Sequence, residues 1–488
     1  MSKIIIPTPL RKFTNNEAAF ETAGATVAAS IEELVAKYPD LRQHLLDKEG
    51  NLRSFIRIYV GEEDINRLEG AETAVPAGTD ISIIPAIAGG SGAAAVAQEP
   101  VTFSKAEIER YSRHLIIPEF NIEGQRKLKA AKVLVVGSGG LGSPLLQYLA
   151  AAGVGKIGIV DYDVVDDSNL QRQVLFGVES VGKPKVAEAA ARIQSLNPHI
   201  EVQTYNTLLT SDNALDIIKD YDLVADGTDN FATRYLVNDA CVLLDKVNVY
   251  ASIFRFDGQV SVFNFVDEEG TRGPNYRDLF PTPPPPGLVP SCAEGGVIGV
   301  LPGIIGSLQA LEVIKVITGV GKPLSGRLYL FDALNFEART LKVHRDPSNP
   351  LNGENPTQNE LIDYVQFCGT GYAEEEHKAE ERPVKEISVQ ELKKWQDGEQ
   401  DFQLIDVREP HEYEIVQING KLIPLGTVSD HADEIARDKP VVIHCRSGVR
   451  SAKAIRELEN SFGFENLHNL RGGVLAYARE IDPTLPTY

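Results

Sequence analysis

The stretch Val133-Leu134-Val135-Val136-Gly137-Ser138-Gly139-Gly140-Leu141-Gly142 decides the fold of the middle of this chain. Four consecutive apolar residues predict a buried strand of a parallel sheet. The glycines let the backbone approach a phosphate, and the helical segment from Ser143 to Ala152 adds the positive potential of a helix N-terminus. A second predicted strand ends at Asp161, nineteen residues after Gly142, where an acid can bind ribose hydroxyls. This order of strand, glycines, helix and acid predicts a nucleotide site.

These glycines do not by themselves distinguish ATP from NAD. The segments that follow favour ATP, because their basic groups can neutralise a triphosphate. They are Ser168-Asn169-Leu170-Gln171-Arg172-Gln173 and Gly182-Lys183-Pro184-Lys185, and Arg110-Tyr111-Ser112-Arg113-His114 adds basic groups nearer the start. Asp226-Gly227-Thr228-Asp229-Asn230 follows another predicted strand and offers oxygen ligands for Mg²⁺. Each segment alone is typical of a solvated surface, so the argument rests on their order.

Residues 104–346 closely resemble the MoeB/ThiF-type adenylyltransferases, which are relatives of ubiquitin-activating enzyme. The motifs RYSRH, GSGGLGS, DYDVVDDSNLQRQ, GKPK and GTDN carry the resemblance in that order. The resemblance implies that Arg113 reaches the phosphates of a neighbouring subunit, and therefore a homodimer. It also implies that Asp229 holds the Mg²⁺ and that ATP with its Mg²⁺ is bound by Gly140, Asp161, Ser168, Asn169, Arg172, Lys185, Asp229 and Asn230.

One departure from that family concerns a structural zinc. Many relatives carry the metal on two CxxC pairs, and the corresponding positions here are Asn275 and Asp278, then Asn349 and Asn352. No thiolate remains among them, and amides are poor zinc ligands. The sequence therefore predicts no structural zinc, and it predicts that the proline-rich segment 281–287 stiffens this loop instead.

Cys445 gives the clearest signal among the four cysteines. It ends an apolar, strand-like run and begins the loop Cys445-Arg446-Ser447-Gly448-Val449-Arg450, which a helical segment follows. Backbone N–H groups and the helix dipole stabilise a thiolate or persulfide there, and Arg446 and Arg450 add positive charge. With Asp406-Val407-Arg408-Glu409 and His411-Glu412, this region resembles a rhodanese sulfurtransferase domain. The six-residue loop favours sulfur transfer over the phosphate hydrolysis of relatives with a longer loop.

The other cysteines differ in their surroundings. Cys292 lies between prolines and glycines in an expected exposed loop, and by resemblance it matches the second functional cysteine of sulfur-transferring relatives. Cys241 and Cys368 are predicted to be structural. The wide spacing of all four excludes a disulfide scaffold and a local CxxC metal site.

Residues 1–90 resemble a MoaD/ThiS-like ubiquitin-fold sulfur carrier. The order of strands and helix and the ending Ile83-Ile84-Pro85-Ala86-Ile87-Ala88-Gly89-Gly90 carry this resemblance. Two glycines suit a narrow channel, since a side chain would keep the carboxylate from the adenylate site. Ser91 follows Gly90, however, so that carboxylate is held in a peptide bond. Cleavage between Gly90 and Ser91 is therefore expected, and a metalloprotease of the deubiquitinase type is the candidate partner.

Composition bounds the class of protein. With 43% apolar and 24% charged residues the chain is globular, and 48 basic against 69 acidic residues give a net charge of −21. Such acidity argues against nucleic acid and anionic membranes as partners. The N-terminus lacks a signal-peptide layout, and the uncharged stretches 81–98 and 295–311 contain proline and several glycines. A cytoplasmic protein that spans no membrane is predicted.

The predicted architecture is α/β with three domains. A β-grasp (α+β) sulfur-carrier domain occupies residues 1–90, and a linker follows over 91–100. A Rossmann-like ATP-dependent adenylyltransferase domain covers 101–350, a second linker covers 351–383, and an α/β rhodanese domain covers 384–488.

The predicted reaction joins these parts. ATP adenylates the terminal glycine of the carrier, a Cys445 persulfide attacks the acyl adenylate, and Cys292 or an outside thiol releases a thiocarboxylate. Thiosulfate or a cysteine desulfurase is the expected sulfur donor. Two alternatives stay open at this point: an N-terminal recruitment or autoinhibitory module with the carrier supplied in trans, and an NAD dehydrogenase, which would leave the basic segments without a role. Cysteine, molybdopterin, thiamine and tRNA remain open as final acceptors, and the ending PAIAGG slightly favours cysteine.

Overall fold

The structure is a computed structural model that describes residues 2–11, 13–15, 17–47, 50–53, 56–85, 102–267, 269–285, 295–369, 384–398 and 400–488. The chain divides into two compact units, residues 1–373 and 374–488. Within the described residues the strands form three sheets, one of eight strands and two of five. The predicted α/β fold class is confirmed.

The N-terminal sheet has the strand order β2-β1-β5-β3-β4. β1 runs parallel to β5 and antiparallel to β2, and β3 runs antiparallel to β5. The longest helix, α2, buries Val27, Ile31, Leu34 and Val35, whose spacing forms one apolar stripe. The elements are β1 (Ser2–Ile5), α1 (Thr8–Arg11), β2 (Ala19–Thr22), α2 (Val27–Lys37), α3 (Arg42–Leu45), β3 (Ile56–Val60), β4 (Glu63–Asp64) and β5 (Ile81–Pro85).

The central sheet has eight strands in the order β13-β12-β11-β10-β9-β6-β7-β8, of which β6 to β10 are parallel and β11 to β13 antiparallel. Its elements are α4 (Lys105–Leu115), α5 (Asn121–Ala130), β6 (Lys132–Val136), α6 (Gly142–Ala152), β7 (Lys156–Val160), α7 (Lys185–Leu196), β8 (Glu201–Tyr205), α8 (Ala214–Ile218), β9 (Leu223–Asp226), α9 (Phe231–Leu243), β10 (Val247–Phe254), β11 (Asp257–Phe263), α10 (Tyr276–Leu279), α11 (Leu301–Thr318), β12 (Arg327–Asp332), β13 (Glu337–Lys342) and α12 (Tyr364–Phe367).

Both faces of this sheet are buried, which explains the unbroken apolar run in β6. Val133 and Val135 belong to one hydrophobic cluster, and Leu134 and Val136 belong to another. Because successive side chains of a strand point to opposite faces, a strand covered on both sides needs apolar residues throughout. The parallel strands β6, β7 and β9 lie side by side, so the residues after each strand meet at one edge.

Helix α11 is the one helix among the described residues that could cross a membrane by length and composition, and 56% of this helix is buried. Such a helix is weak evidence for a span. The Gln309 side-chain amide donates hydrogen bonds to the main-chain carbonyls of Asp226 and Val249, at 2.9 and 3.0 Å. The helix therefore packs on the central sheet as a core element.

The predicted linker over 351–383 begins too early. Residues 351–369 lie in the first unit, and Tyr364 and Cys368 are buried there. Tyr364 and Gln358 donate hydrogen bonds to Asp239 Oδ2 at 2.7 and 2.8 Å, and Arg277 pairs with the same carboxylate. These contacts fix the segment against α9, so it is part of the fold and not a spacer.

The second unit contains a parallel sheet with the order β14-β18-β17-β15-β16. β17 is buried on both faces and leads directly into the loop that begins at Cys445. The elements are β14 (Glu386–Ile387), α13 (Val389–Asp397), β15 (Gln403–Asp406), α14 (Pro410–Ile415), β16 (Lys421–Leu422), β17 (Val441–His444), α15 (Val449–Phe462), β18 (Leu467–Leu470) and α16 (Gly473–Glu480).

Candidate functional site

The turn after β6 is shaped by its glycines. Gly137 has a φ of +88°, which residues with side chains rarely adopt, and a Cβ on Gly142 would lie 2.1 Å from the Gly137 carbonyl oxygen. A Cβ on Gly140 would lie 3.2 Å from the side chain of Pro302. Gly139 differs, because the nearest atom to a Cβ there is Gln173 Nε2 at 3.6 Å. Gly137 and Gly142 therefore form the turn, while Gly139 leaves its backbone open to an approaching group.

Asp161 lies beside this turn, as the sequence predicts. Its Oδ2 accepts hydrogen bonds from the N–H and the hydroxyl of Ser138, both at 2.8 Å. Its Oδ1 accepts a hydrogen bond from the Asp163 N–H at 3.0 Å. The carboxylate at the end of β7 is thus fixed against the glycine turn, where a ribose next to a bound phosphate would lie.

Two basic residues of the predicted site are held near the same edge. Lys185 is almost buried, and its Nζ lies 2.8 Å from Asp163 Oδ2. Arg172 Nη1 donates a hydrogen bond to the Ser168 carbonyl at 3.2 Å. Ser168 and Asn169 form a short helical turn whose side chains bond to Asp166. These contacts therefore fix the polar side chains that follow β7 relative to one another.

The segment after β9 contains two carboxylates in different environments. Asp226 is fully buried, and this burial raises its pKa to about 6 even though Thr228 donates hydrogen bonds to it. Asp229 is exposed, and Asn230 accepts a hydrogen bond from the Thr233 N–H at 2.9 Å, which caps α9. Of the two acids, Asp229 is the one that solvent and a nucleotide can reach.

The donor set fits Mg²⁺ only as a nucleotide complex. Among the described residues there is no group of three or more His, Cys, Asp or Glu side chains that could hold a metal alone. Mg²⁺ commonly binds one or two carboxylates and completes its octahedron with waters and substrate phosphates. The exposed carboxylate of Asp229 meets that requirement.

The four residues at the positions of the zinc ligands lie together. Asn275 Nδ2 donates to Asn352 Oδ1 at 2.9 Å, and Asn349 Nδ2 donates to Asp278 Oδ1 at 2.7 Å. Burial raises the pKa of Asp278, although hydrogen bonds to its carboxylate oppose the shift. Direct side-chain hydrogen bonds therefore connect the two segments.

The N-terminal sheet packs against the central sheet and the loop at α10. Arg57 is buried, its Nη2 donates to the Asp278 carbonyl at 3.1 Å, and its Nε donates to the Leu279 carbonyl. Arg11 Nη2 lies 2.6 Å from Asp332 Oδ2, with side chains 6% and 15% exposed. A buried guanidinium is costly unless its N–H groups are paired. Here the α10 carbonyls and the Asp332 carboxylate pair with N–H groups of both side chains, whereas Arg11 Nη1 has no partner among the described residues.

The edges of the two sheets also meet. The Lys342 N–H of β13 donates to the Glu62 carbonyl at 3.2 Å, and Arg339 Nη1 donates to Ser82 Oγ at 3.0 Å. Lys342 Nζ additionally pairs with Glu63. The carrier-like domain is thus held by main-chain, buried ionic and surface contacts at once.

The candidate sulfur site lies in the second unit. Cys445 is 1% exposed, its Sγ accepts a hydrogen bond from the Gly448 N–H at 3.1 Å, and the Ser451 hydroxyl lies 3.4 Å away. Gly448 has a φ of +100° and precedes α15, whose N-terminus has no side-chain cap. The loop therefore directs backbone N–H groups and a helix dipole toward the sulfur.

The two arginines of this loop are held differently. Arg450 forms a bidentate pair with Glu412 at 2.6 and 2.7 Å. Burial raises the pKa of Glu412, but hydrogen bonds led by those from Arg450 outweigh it and lower the value to about 2. Arg446 Nε donates to the main-chain oxygen of Tyr488 at 2.6 Å. Sequence reasoning missed Tyr488, because no local pattern connects it with a loop forty residues earlier in the chain.

The remaining predicted residues fall into two groups. Arg113 is exposed on α4, and the buried Cys241 and Cys368 agree with a structural role. Burial raises the pKa of Cys368 to about 12, which disfavours a reactive thiolate. Gly89, Gly90 and Cys292 lie outside the described residues, as does the linker over 91–100.

Family models match the chain in the predicted order. The ThiS family matches residues 4–90, the ThiF family 111–351 and the rhodanese-like domain 388–480. The probable adenylyltransferase/sulfurtransferase MoeZ of Mycobacterium tuberculosis is 48% identical over 394 residues, covering 80% of this chain and 98% of the relative. The chain belongs to this adenylyltransferase/sulfurtransferase family.

Further relatives agree. The sulfur carrier protein adenylyltransferase of Thermus thermophilus is 57% identical and covers 55% of this chain and 98% of the relative. The adenylyltransferase and sulfurtransferase MOCS3 of Culex quinquefasciatus is 44% identical over 78% of this chain and 90% of the relative. A crystal structure of Escherichia coli MccB with ATP aligns over 51% of this chain and 75% of that chain, with 20% identity and a TM-score of only 0.42.

The family assignment confirms an enzyme of adenylyl and sulfur transfer and implies the use of ATP. It removes the dehydrogenase alternative, because the matched relatives are adenylyltransferases.

Gly139→Ala tests whether a phosphate approaches the glycine turn. Gly139 has no positive φ and has room for a methyl group, so the unfolding temperature should stay unchanged. The KM for ATP in ATP–pyrophosphate exchange should rise about tenfold, because the methyl group blocks backbone contact with a phosphate. Gly303→Ala on α11, where a Cβ meets nothing within 4 Å, is the matched control. An unchanged KM in Gly139→Ala would place the phosphates elsewhere.

Proposed function

We propose that this enzyme adenylates the terminal glycine of a ubiquitin-like sulfur carrier and converts it to a thiocarboxylate, and that residues 1–90 are that carrier. The observation that carries the proposal is the docking of the N-terminal sheet through the buried Arg57 and Arg11. A domain that served only as a spacer would not need two buried guanidinium groups in this contact. Docking of this kind keeps a substrate domain beside its enzyme.

The first half-reaction activates the glycine carboxylate. A carboxylate oxygen attacks the α-phosphorus of ATP, the bond to the bridging oxygen breaks, and pyrophosphate leaves. Lys185 and Arg172 stabilise the charge that develops on the phosphates, and Asp161 orients the ribose. Mg²⁺ held at Asp229 supplies further neutralisation of that charge when bound. The product is an acyl adenylate, whose AMP is a good leaving group.

The second half-reaction transfers sulfur. The terminal sulfur of a Cys445 persulfide attacks the acyl carbon, AMP leaves, and an acyl disulfide joins the carrier to Cys445. Cys292 or an outside thiol then attacks the Cys445 sulfur, which releases the thiocarboxylate and leaves a disulfide for an external thiol to reduce. The Gly448 N–H and the Ser451 hydroxyl beside Sγ stabilise the anionic forms of this sulfur. Thiosulfate or a cysteine desulfurase recharges it.

The intact chain needs one further step before it can serve as its own carrier. Gly90 is joined to Ser91 by an amide, and an amide carbonyl does not attack the α-phosphorus as a carboxylate does. We therefore include cleavage after Gly90, by a metalloprotease of the deubiquitinase type, in the proposal. The second candidate function keeps the N-terminal domain as a docked recruitment module, and the same contacts would then fix it while a carrier in trans is activated.

A homodimer is part of the proposal. Arg113 on α4 is exposed, and so are the large apolar residues Ile116, Tyr148 and Leu311. Ile116 follows α4, Tyr148 lies on α6 and Leu311 lies on α11. These helices form one layer, because α5 packs against both α4 and α11, and α11 packs against α6. A second copy would cover this apolar surface and bring its own Arg113 to the phosphates. A reducing cytoplasm suits the free thiols, and the final sulfur acceptor stays open.

Asp229→Ala should reduce carrier-dependent ATP–pyrophosphate exchange by about a thousandfold, because it removes the carboxylate that holds the metal. Asp216→Ala is the matched control, since Asp216 is an exposed aspartate of the same unit that pairs with Lys219 on the surface. The assay uses a carrier that ends in a free diglycine. Full exchange in Asp229→Ala would remove this residue from the mechanism.

Cys445→Ala should separate the two halves of the reaction. Formation of the acyl adenylate needs no thiol, so the exchange should stay at the wild-type rate. Thiosulfate-dependent formation of the thiocarboxylate should fall to background, whereas the control Cys241→Ala, which removes a buried thiol of the first unit, should retain it. Wild-type sulfur transfer from thiosulfate in Cys445→Ala would assign the sulfur source to another residue.

A further inference from the structure

The segment that follows α16 returns to the sulfur-transfer loop. The Asp482 side chain accepts hydrogen bonds from Thr484, and the Leu485 N–H donates to the Asp482 carbonyl at 3.1 Å. Ile481, Leu485 and Tyr488 then pack against the hydrophobic cluster that includes Leu392. This turn and these apolar contacts fix the position of Tyr488 independently of its contacts with the loop that begins at Cys445.

Tyr488 binds Arg446 in two ways. The Nε of Arg446 donates a hydrogen bond to the main-chain oxygen of Tyr488 at 2.6 Å. The guanidinium carbon also lies 5.4 Å from the centroid of the Tyr488 ring, which is a cation–π distance. Arg446 is adjacent to Cys445 in the chain and carries a flexible side chain, so these two contacts with Tyr488 restrict the positions that its guanidinium can take.

The hydroxyl of Tyr488 reaches the other arginine of the loop through Glu412. It donates to Glu412 Oε1 at 3.1 Å, and the same oxygen accepts a hydrogen bond from Arg450 Nη2 at 2.7 Å. The hydroxyl also accepts a hydrogen bond from Arg408 Nη1 at 2.6 Å, and Arg408 is fully buried and paired with Asp406 at the end of β15. Tyr488 therefore connects both ends of the loop to the rigid sheet.

We propose that Tyr488 is a positioning residue of the sulfur-transfer site, which holds the Arg446 and Arg450 guanidinium groups so that an anionic sulfur donor is bound beside Cys445. This inference rests on the proposed function, since it presumes that Cys445 receives sulfur from such a donor. Arginine suits this role because its charge and planar donors match an oxyanion such as thiosulfate. The polar contacts of Tyr488 are with Arg446, Glu412 and Arg408, so it acts through the arginines.

Steady-state transfer from thiosulfate to cyanide by the full-length protein tests the proposal. In Tyr488→Ala the KM for thiosulfate should rise about tenfold, because binding of the donor is weakened. The kcat should change less than about threefold, because the Gly448 and Ser451 donors beside Cys445 Sγ stay in place. Tyr488→Phe keeps the ring over Arg446 but loses the hydroxyl contacts with Glu412 and Arg408, so its KM should rise by less than about threefold, between the wild type and Tyr488→Ala. An unchanged or lowered KM in Tyr488→Ala would overturn the proposal, a lowered value meaning that Tyr488 obstructs the donor.

Leu485→Ala is the matched control for loosening of the whole segment. Leu485 packs on the same hydrophobic cluster three residues earlier, so its truncation weakens the same attachment without removing a group that contacts Arg446. Fluorescence of Trp395, the one tryptophan of the sequence, follows unfolding of the second unit in all variants. If Leu485→Ala raises the KM as much as Tyr488→Ala, segment attachment alone explains the effect and the proposal is wrong.

Alkylation of Cys445 gives a readout that loss of packing would not move. The rate with iodoacetate, an anion, is divided by the rate with the neutral iodoacetamide, both measured at Cys445 by peptide mass spectrometry. A looser loop accelerates both reagents, whereas displaced arginines disfavour only the anion. The ratio should fall several-fold in Tyr488→Ala, fall less in Tyr488→Phe, and stay near the wild-type value in Leu485→Ala. A constant ratio in Tyr488→Ala would contradict the proposal.

Cys445→Ala separates the two possible failures. If this variant loses transfer from thiosulfate while Tyr488→Ala behaves as the wild type, only the role of Tyr488 is wrong. If Cys445→Ala still transfers sulfur from thiosulfate, the proposed function of the loop itself fails.

Discussion

The Arg57 guanidinium, buried where the N-terminal sheet meets the central unit, holds a carrier-like domain against its enzyme. In the central unit its acceptors are the main-chain carbonyls of Asp278 and Leu279 in α10, so the contact depends on the position of this short helix. Hydrogen bonds of Asn275 with Asn352 and of Asn349 with Asp278 in turn fix this part of the chain. These side-chain hydrogen bonds hold the surface on which the N-terminal domain docks, and every proposed step from adenylation onward begins with that docked domain.

The two candidate sites use different physical means for their chemistry. At the nucleotide edge, open backbone at Gly139 and exposed Asp229 leave room for a phosphate and its metal, whereas Asp226, three residues before Asp229, is buried with a pKa near 6. In the sulfur site the reacting thiol is almost fully buried and surrounded by backbone donors. An open nucleotide edge admits ATP and lets pyrophosphate leave, whereas burial protects a persulfide from water and from other thiols.

Short-range patterns determine what could be predicted from the sequence. The glycine turn, Asp161 and the loop from Cys445 follow buried strands directly, so their positions follow from strand order alone. β2 gives a weaker signal, because its sequence Ala-Phe-Glu-Thr does not alternate apolar and polar residues and only Thr22 is buried. The packing of residues 351–369 on Asp239 and the contact of Tyr488 with Arg446 depend on side chains far apart in the chain. Such contacts have no local signature in the sequence. The sequence therefore predicts too long a linker and does not indicate a role for Tyr488.

Intact mass spectrometry of the protein from its native cells, grown under sulfur demand, tests most directly the claim that residues 1–90 are the substrate. The account predicts an N-terminal fragment that ends at Gly90, part of it carrying one sulfur in place of a carboxylate oxygen. The sulfur-bearing form should disappear in cells that express only Asp229→Ala. A population made up of full-length chain alone would contradict the account and make the docked domain a recruitment module.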